Sequence, residues 1–175
     1  MDEKIYYHGG VPNLSVGAFI LPPTVTGSRS WADHDIVPGA STRLVYVTTS
    51  LKAARYYAAI YKSLATMFKS PPIDDGWVYK VQPVPPVERD ALVWGDKNYP
   101  YPALSMIGAA NLRYQCPFAT ILEVYPKTEA ENTAFLNEVT NAVLEPSRQA
   151  GRNFANCLLW LGGRKSLGDF IDSVN

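Results

Sequence analysis

The sequence predicts an α+β fold, with short strands gathered in the earlier part of the chain and helices collected at its end. Two kinds of pattern predict it. The pieces Tyr6–Gly10, Leu44–Thr48, Trp77–Val81 and Phe118–Tyr125 are brief, largely apolar runs bounded by turn-forming residues, the form of strands. The stretches beginning at Leu51 and at Phe135 instead carry apolar side chains at the three- and four-residue spacing of a helix.

Taken in order, residues 4–21 read as a strand, a turn at Gly9-Gly10-Val11-Pro12-Asn13, and an extended piece Val16–Leu21 stopped by Pro22-Pro23. Thr24 to Thr42 has no periodicity and is rich in Ser, Thr, Gly, Pro and Asp. A loop of about nineteen residues exceeds the common ~4–6 and is functional or disordered. Leu44–Thr48 is the next strand. Ser50 is a candidate N-cap for a helix whose Leu51, Ala54, Tyr57, Ala58, Tyr61 and Leu64 share a face. Ser70–Gly76 is a turn-forming linker, and Trp77–Val81 is a strand ended by Pro83. Residues 83–103 read as irregular, and Phe118–Tyr125 as a further strand. Thr128-Glu129-Ala130-Glu131 has the capping-box pattern, with Phe135, Leu136, Val139, Val143 and Leu144 on one face behind it. Pro146-Ser147 is expected to break that helix. Phe154–Leu161 suggests a second helix ended at Gly162-Gly163, and Ser166–Val174 a short third.

The bulk numbers narrow the class. At 175 residues the chain suits one domain with a proper core. A 47% hydrophobic and 18% charged composition is that of a folded globular protein. Lys+Arg 16 against Asp+Glu 16 gives no net charge, so the basic bias that favours nucleic acid is missing. Cys116 and Cys157 have no CxxC spacing, and His8 and His34 complete no zinc pattern, so no metal is expected. Two isolated cysteines fit a reducing cytoplasm, with a single disulfide left open. No apolar run follows the N-terminus and none approaches the ~20 residues of a membrane span. The expected location is cytoplasmic, with no membrane partner.

The motifs carry more than the composition. Tyr7-His8-Gly9 is followed by Leu14-Ser15-Val16-Gly17, and Val45-Tyr46-Val47-Thr48 by Leu51-Lys52-Ala53-Ala54. Then come Val78–Pro83, Glu88-Arg89-Asp90, Asp96-Lys97-Asn98 with Pro100 and Pro102, and Arg113 with Pro117 ahead of Glu123-Val124. In this order and spacing residues 1–126 resemble the rifamycin ADP-ribosyltransferases, on the His-Tyr-Asp/Glu branch of the ADP-ribosyltransferase superfamily. The resemblance implies a split β-sandwich with flanking helices; residues 127–175, which have no counterpart in the minimal domain of that family, read from their own pattern as a helical C-terminal extension packed on the same domain. The resemblance also implies NAD as co-substrate, without a metal, in a cleft between two small sheets.

The roles that the resemblance implies are specific. His8 would hydrogen-bond a ribose hydroxyl of the adenosine half, and the Gly9 backbone would hold the nicotinamide carboxamide. Tyr46, with Tyr56 or Tyr57, would sandwich the nicotinamide ring; Tyr56 stands where those enzymes have a tryptophan. Asp90 would sit against the nicotinamide ribose as the acid, with Glu88 the nearest competitor. Thr48 is a further candidate contact to the carboxamide, whereas Ser50 is better read as a helix cap. The arrangement requires His8, Tyr46 and Asp90 to converge on one cleft.

The chemistry accounts for these residue types. Losing neutral nicotinamide leaves an oxocarbenium-like ribose, so a nearby negative charge lowers the barrier. A carboxylate at ~4 Å with an effective dielectric near ~20 contributes about 4 kcal/mol, close to a thousandfold in rate. The acceptor, a rifamycin-like small molecule or a protein, is left open, as are an antibiotic-resistance or toxin/effector role, a bacterial or phage source and the oligomeric state. Residues 103–111 read as an insertion, and Cys116 replaces an acid of that family. Trp31 and His34 read as loop residues covering the core, and Asp96, Lys97 and Arg113 as turn or salt-bridge residues. A catalytically inactive binding or virion-associated module on the same scaffold is the alternative.

Overall fold

The computed structural model describes residues 4–28, 41–67, 74–89 and 113–149. Seven strands form one hydrogen-bonded sheet: β1 (Tyr6–Gly10), β2 (Phe19–Ile20), β3 (Val45–Thr48), β4 (Trp77–Pro83), β5 (Glu88–Arg89), β6 (Arg113–Cys116) and β7 (Ala119–Tyr125). Their spatial order is β2-β7-β4-β1-β3-β6-β5. Every pairing is antiparallel. Among the described residues three helices accompany them: α1 (Pro23–Thr26), α2 (Leu51–Met67) and α3 (Glu129–Gln149). The α+β class follows directly from this combination.

The sheet is not evenly knit. β1 and β4 pair at every residue from Tyr6↔Val81 to Gly10↔Trp77, but β1 and β3 pair only at Tyr7↔Thr48. Beyond that position the two central strands diverge. The sheet thus has a four-stranded part, β2-β7-β4-β1, and a three-stranded part, β3-β6-β5, joined by a narrow seam.

One face holds the main core. Ile20, Val45, Val47, Tyr79, Val81, Cys116, Ala119 and Ile121 pack together there. Burial of this kind contributes roughly 1.5–3 kcal/mol for each large aliphatic side chain. Strand alternation supplies most of the set, but Ile121 and Val124 are three residues apart and both face this core. A bulge reconciles them. Lys80 pairs with Glu123 whereas Val81 pairs with Ile121, so Leu122 is the extra residue and half turned to solvent.

Helix α2 covers the other face. Its Ala54 and Ala58 pack on Val78, with Tyr7 and Tyr125 beside them. The helix begins as the sequence predicts: Ser50 Oγ accepts the Ala53 N–H at 3.2 Å, and Ser50 N–H in turn donates to Thr48 Oγ1 at 3.0 Å. Its buried stripe is wider than expected and displaced from it. Ala53, Tyr56, Ala59 and Ile60 are buried along with Ala54 and Ala58, while Leu51 is 45% exposed. The cause is that α2 lies between the sheet and α3 and is covered on two sides. Arg55 stacks its guanidinium 4.4 Å from the Phe135 ring centre on α3, and Lys62 reaches Glu129 at 3.5 Å.

Helix α3 starts with a complete capping box. Thr128 Oγ1 accepts the Glu131 N–H at 3.2 Å, and Glu131 Oε2 accepts the Thr128 N–H at 2.9 Å. The Thr128 N–H and the Thr128 hydroxyl, both donating to Glu131 Oε2, and with them Lys127, hold the Glu131 carboxyl below its ordinary range. Phe135 and Val139 are buried as predicted, and buried Asn132 donates to the Gly76 carbonyl at 3.3 Å.

Five other expectations are corrected. Gly9-Gly10 belongs to β1 rather than to the turn, which begins after it, because both residues pair with β4. Strand β4 ends at Pro83 as expected but runs two residues beyond Val81, with Pro83 paired to Ala119 at the last position, where a missing N–H costs least. Helix α3 continues through Pro146 to Gln149, since proline removes only one bond of a long helix. The loop after Leu21 contains the single turn α1, and the stretch after Pro83 contains β5. Residues 1–3, 29–40, 68–73, 90–112 and 150–175 lie outside the described residues. So, therefore, do Trp31, His34, Asp96, Lys97, Cys157, the suggested insertion and the two later helices.

Candidate active site

The candidate site lies where β1 and β3 part. His8 follows the last paired residue of β1, and its imidazole takes over the link to β3: Nδ1 lies 2.9 Å from the Tyr46 carbonyl oxygen. A carbonyl can only accept, so Nδ1 carries the proton and Nε2 of the neutral ring is an acceptor. Burial pushes the His8 pKa down, and the bond to the Tyr46 carbonyl opposes that shift. Gly10 keeps the acceptor side clear. A Cβ at position 10 would stand 2.8 Å from Nε2.

Gly9 is needed for another contact. A Cβ there would stand 1.9 Å from the Ala54 carbonyl oxygen of α2, so the helix rests directly on the β1 backbone. This packing accounts for a glycine at that position without any ligand.

Tyr46 and His8 meet only through the Tyr46 backbone: their rings leave the sheet on opposite sides, so the two side chains do not converge on one cleft as the resemblance requires. With Tyr7 paired to Thr48, alternation sends Tyr46 and Thr48 toward the α2 face and His8 toward the face of Tyr79 and Gly10. On its own side Tyr46 is well held. Its hydroxyl accepts the Ser41 N–H at 2.6 Å, and the Arg113 guanidinium carbon lies 5.3 Å from its ring centre. The same guanidinium is 5.9 Å from the ring of Tyr57 on α2. The Arg113 guanidinium of β6 thus lies near both Tyr46 of β3 and Tyr57 of α2.

The two helix tyrosines are distinguished by burial. Tyr56 is only 1% exposed and meets Tyr57 edge-on at 6.0 Å, whereas Tyr57 is half-buried and faces Arg113. Of the pair, Tyr57 is the one beside Tyr46's cation. Thr48 is buried, and its hydroxyl oxygen accepts the Ser50 N–H, a structural bond at the start of α2.

On the acidic side, Asp90 lies outside the described residues. Glu88 is exposed on β5, opposite Gln115 of β6, whose Nε2 donates to Glu88 Oε2 at 3.3 Å. Gln115 in turn pairs with Tyr46, so Tyr46, Gln115 and Glu88 form a row across three strands on one face. Cys116 points to the other face, its thiol 3.8 Å from the Val45 carbonyl and pushed by burial up to about 11.

Sequence reading missed β6, and with it Arg113 and Gln115 as neighbours of Tyr46. A signal existed: Arg-Tyr-Gln-Cys alternates polar and apolar residues just before Pro117, although four residues make a short pattern. Among the described residues no group of three or more His, Cys, Asp or Glu could hold a metal ion, and no helix is long and apolar enough to cross a membrane.

No family model matches this sequence, and a search of curated proteins finds no match.

Proposed function

We infer that the protein is an NAD-dependent mono-ADP-ribosyltransferase, built on a split β-sandwich of the ADP-ribosyltransferase type. One observation carries this reading. Where the β1–β3 ladder opens, the strand bond is replaced by the His8 Nδ1–Tyr46 carbonyl bond of 2.9 Å. The seam supports the view that the sheet is divided at the point where a dinucleotide would enter. A neutral imidazole held by Nδ1, with Nε2 an acceptor that Gly10 leaves uncrowded, suits a ribose hydroxyl. The Tyr46 and Tyr57 rings, both near one guanidinium, suit a flat heteroaromatic ring.

In this reading NAD supplies the ADP-ribosyl group and nicotinamide leaves. Tyr46 and Tyr57 hold the leaving ring, Asp90, next in the chain after β5, supplies negative charge, and His8, whose ring lies on the other side of the sheet, acts through its bond to the Tyr46 carbonyl. The acceptor is a rifamycin-like small molecule or a protein.

The test is nicotinamide release from labelled NAD, in the presence of rifampicin and separately of a cell lysate. The wild-type chain releases nicotinamide and labels an acceptor. Asp90→Ala abolishes release, His8→Ala reduces it strongly, and Glu88→Gln retains most of it. Absence of both labelled product and slow NAD hydrolysis in the wild type refutes the assignment.

A further inference from the structure

The two outer edges of the sheet differ in kind. One is β5, whose Glu88 and Arg89 are both charged and exposed, a usual means of keeping an edge from pairing. The other is β2, and it carries no charge: residues 9–28 contain no Asp, Glu, Lys, Arg or His. Most of the large apolar side chains that the described residues expose come from this stretch. Val16, Phe19, Leu21 and Val25 are each between 40% and 65% exposed.

The backbone is open at the same place. Ile121 N–H donates to the Ala18 carbonyl at 2.9 Å, next to the Phe19↔Thr120 pair. Phe19 and Thr120 are therefore a non-hydrogen-bonded pair, and the Phe19 N–H and C=O point away from β7. Strand β2 is last in the spatial order, so among the described residues these two groups face no further strand. Pro22, which has no N–H, limits the open edge to a short run ending at Leu21.

We propose that β2 pairs with the β2 of a second copy of this chain, antiparallel about a two-fold axis at Phe19. On that axis each Phe19 N–H donates to the carbonyl of the other. The two rings then stand side by side on one face, with the Cα atoms about 5.5 Å apart. A donor and an acceptor on one residue make the contact self-complementary, as a closed two-fold interface requires.

Charge decides in favour of a second copy. Near a two-fold axis every charged side chain approaches its own duplicate, and β2 with the turns on either side presents none. A different protein would ordinarily be steered and selected by charge, for which this edge offers no complement. The contact is independent of the NAD reading. Its short length makes the dimer weak, with a Kd on the order of 10 µM.

Sedimentation equilibrium of the full chain over about 1–100 µM tests the proposal. The wild type should pass from monomer to dimer across that range. Phe19→Lys sets two ammonium groups against each other at the axis and should raise Kd by at least about tenfold. Circular dichroism checks folding. Phe19 also meets Phe118 edge-on at 5.6 Å, so Leu21→Lys, two residues from the axis, replaces that variant if it does not fold. Leu51→Lys is the control, changing a 45% exposed side chain at the start of α2, and should dimerise as the wild type does.

A wild type that is monomeric at every concentration overturns the proposal. So does a dimer that the folded edge variant retains unchanged, or one that Leu51→Lys loses to the same degree. If a monomeric wild type instead floats with phosphatidylcholine vesicles and Phe19→Lys does not, the edge belongs to a lipid surface and the second copy is refuted.

Discussion

Replacing Gly9 by alanine tests the contact that seats α2 on the sheet. The added Cβ would stand 1.9 Å from the Ala54 carbonyl oxygen, 2.8 Å from its carbon and 2.9 Å from the Ala58 nitrogen. All three are backbone atoms, so no side chain can swing aside. Restoring ordinary contact requires α2 to move by about 1.5 Å, and overpacking of this kind costs roughly 1–3 kcal/mol. Alanine recovers about 0.4–1 kcal/mol by restricting the unfolded chain. A net loss of about 1 kcal/mol lowers Tm by roughly 2–4 °C in a protein of this size. Gly17→Ala is the control. Its Cβ would meet nothing within 4 Å, and the cost there comes only from a φ of +84°. Thermal and urea unfolding of the two variants decide the matter. Gly9→Ala melting at or above the wild type, or no lower than Gly17→Ala, would refute the packing argument. The same movement shifts Tyr57 relative to Tyr46, so nicotinamide release should fall along with stability.

Two further outcomes concern His8 and the α3 cap. Burial lowers the His8 pKa from 6.5, so the folded state binds a proton less readily than the unfolded chain. Its stabilising contribution is therefore complete above pH 6.5 and is lost as pH falls from there through the lower folded-state value. Urea unfolding between about pH 7 and pH 5 should show stability falling with acidification, and His8→Gln should flatten that slope. Thr128→Ala removes the acceptor for the Glu131 N–H and leaves Glu131 bonded only to the Thr128 backbone N–H and Lys127. It should cost about 1 kcal/mol in thermal unfolding, and an unchanged melting curve would show that the cap contributes nothing.

Much of this architecture was legible in local chemistry. Ser50 and Thr128 announce helix starts because a side-chain oxygen satisfies a backbone N–H a few residues away, a decision made within one turn. The strands around Tyr7, Tyr46 and Tyr79 were visible as apolar pieces cut off by turn formers. The candidate residues on these segments were also legible as residue types, but their neighbours were not. Arg113 looked like a turn or salt-bridge residue because β6 has four residues and is separated from β3 by a long stretch of chain. Strand pairing alone places it beside Tyr46.

Residue identity and near spacing thus determined the class of the fold, the helix caps and the aromatic and imidazole groups offered to a site. Those properties depend on interactions within a few residues. The tertiary structure alone decided which side of the sheet each group occupies. The Leu122 bulge turns Ile121 and Val124 to one core, and the burial of α2 between sheet and α3 encloses Tyr56 while leaving Tyr57 beside Arg113. The parting of β1 from β3 likewise sends the His8 and Tyr46 rings to opposite sides while a side-chain bond joins them. Such outcomes depend on register between strands distant in the chain, where a slip of one residue reverses every side chain, and no local pattern specifies that register.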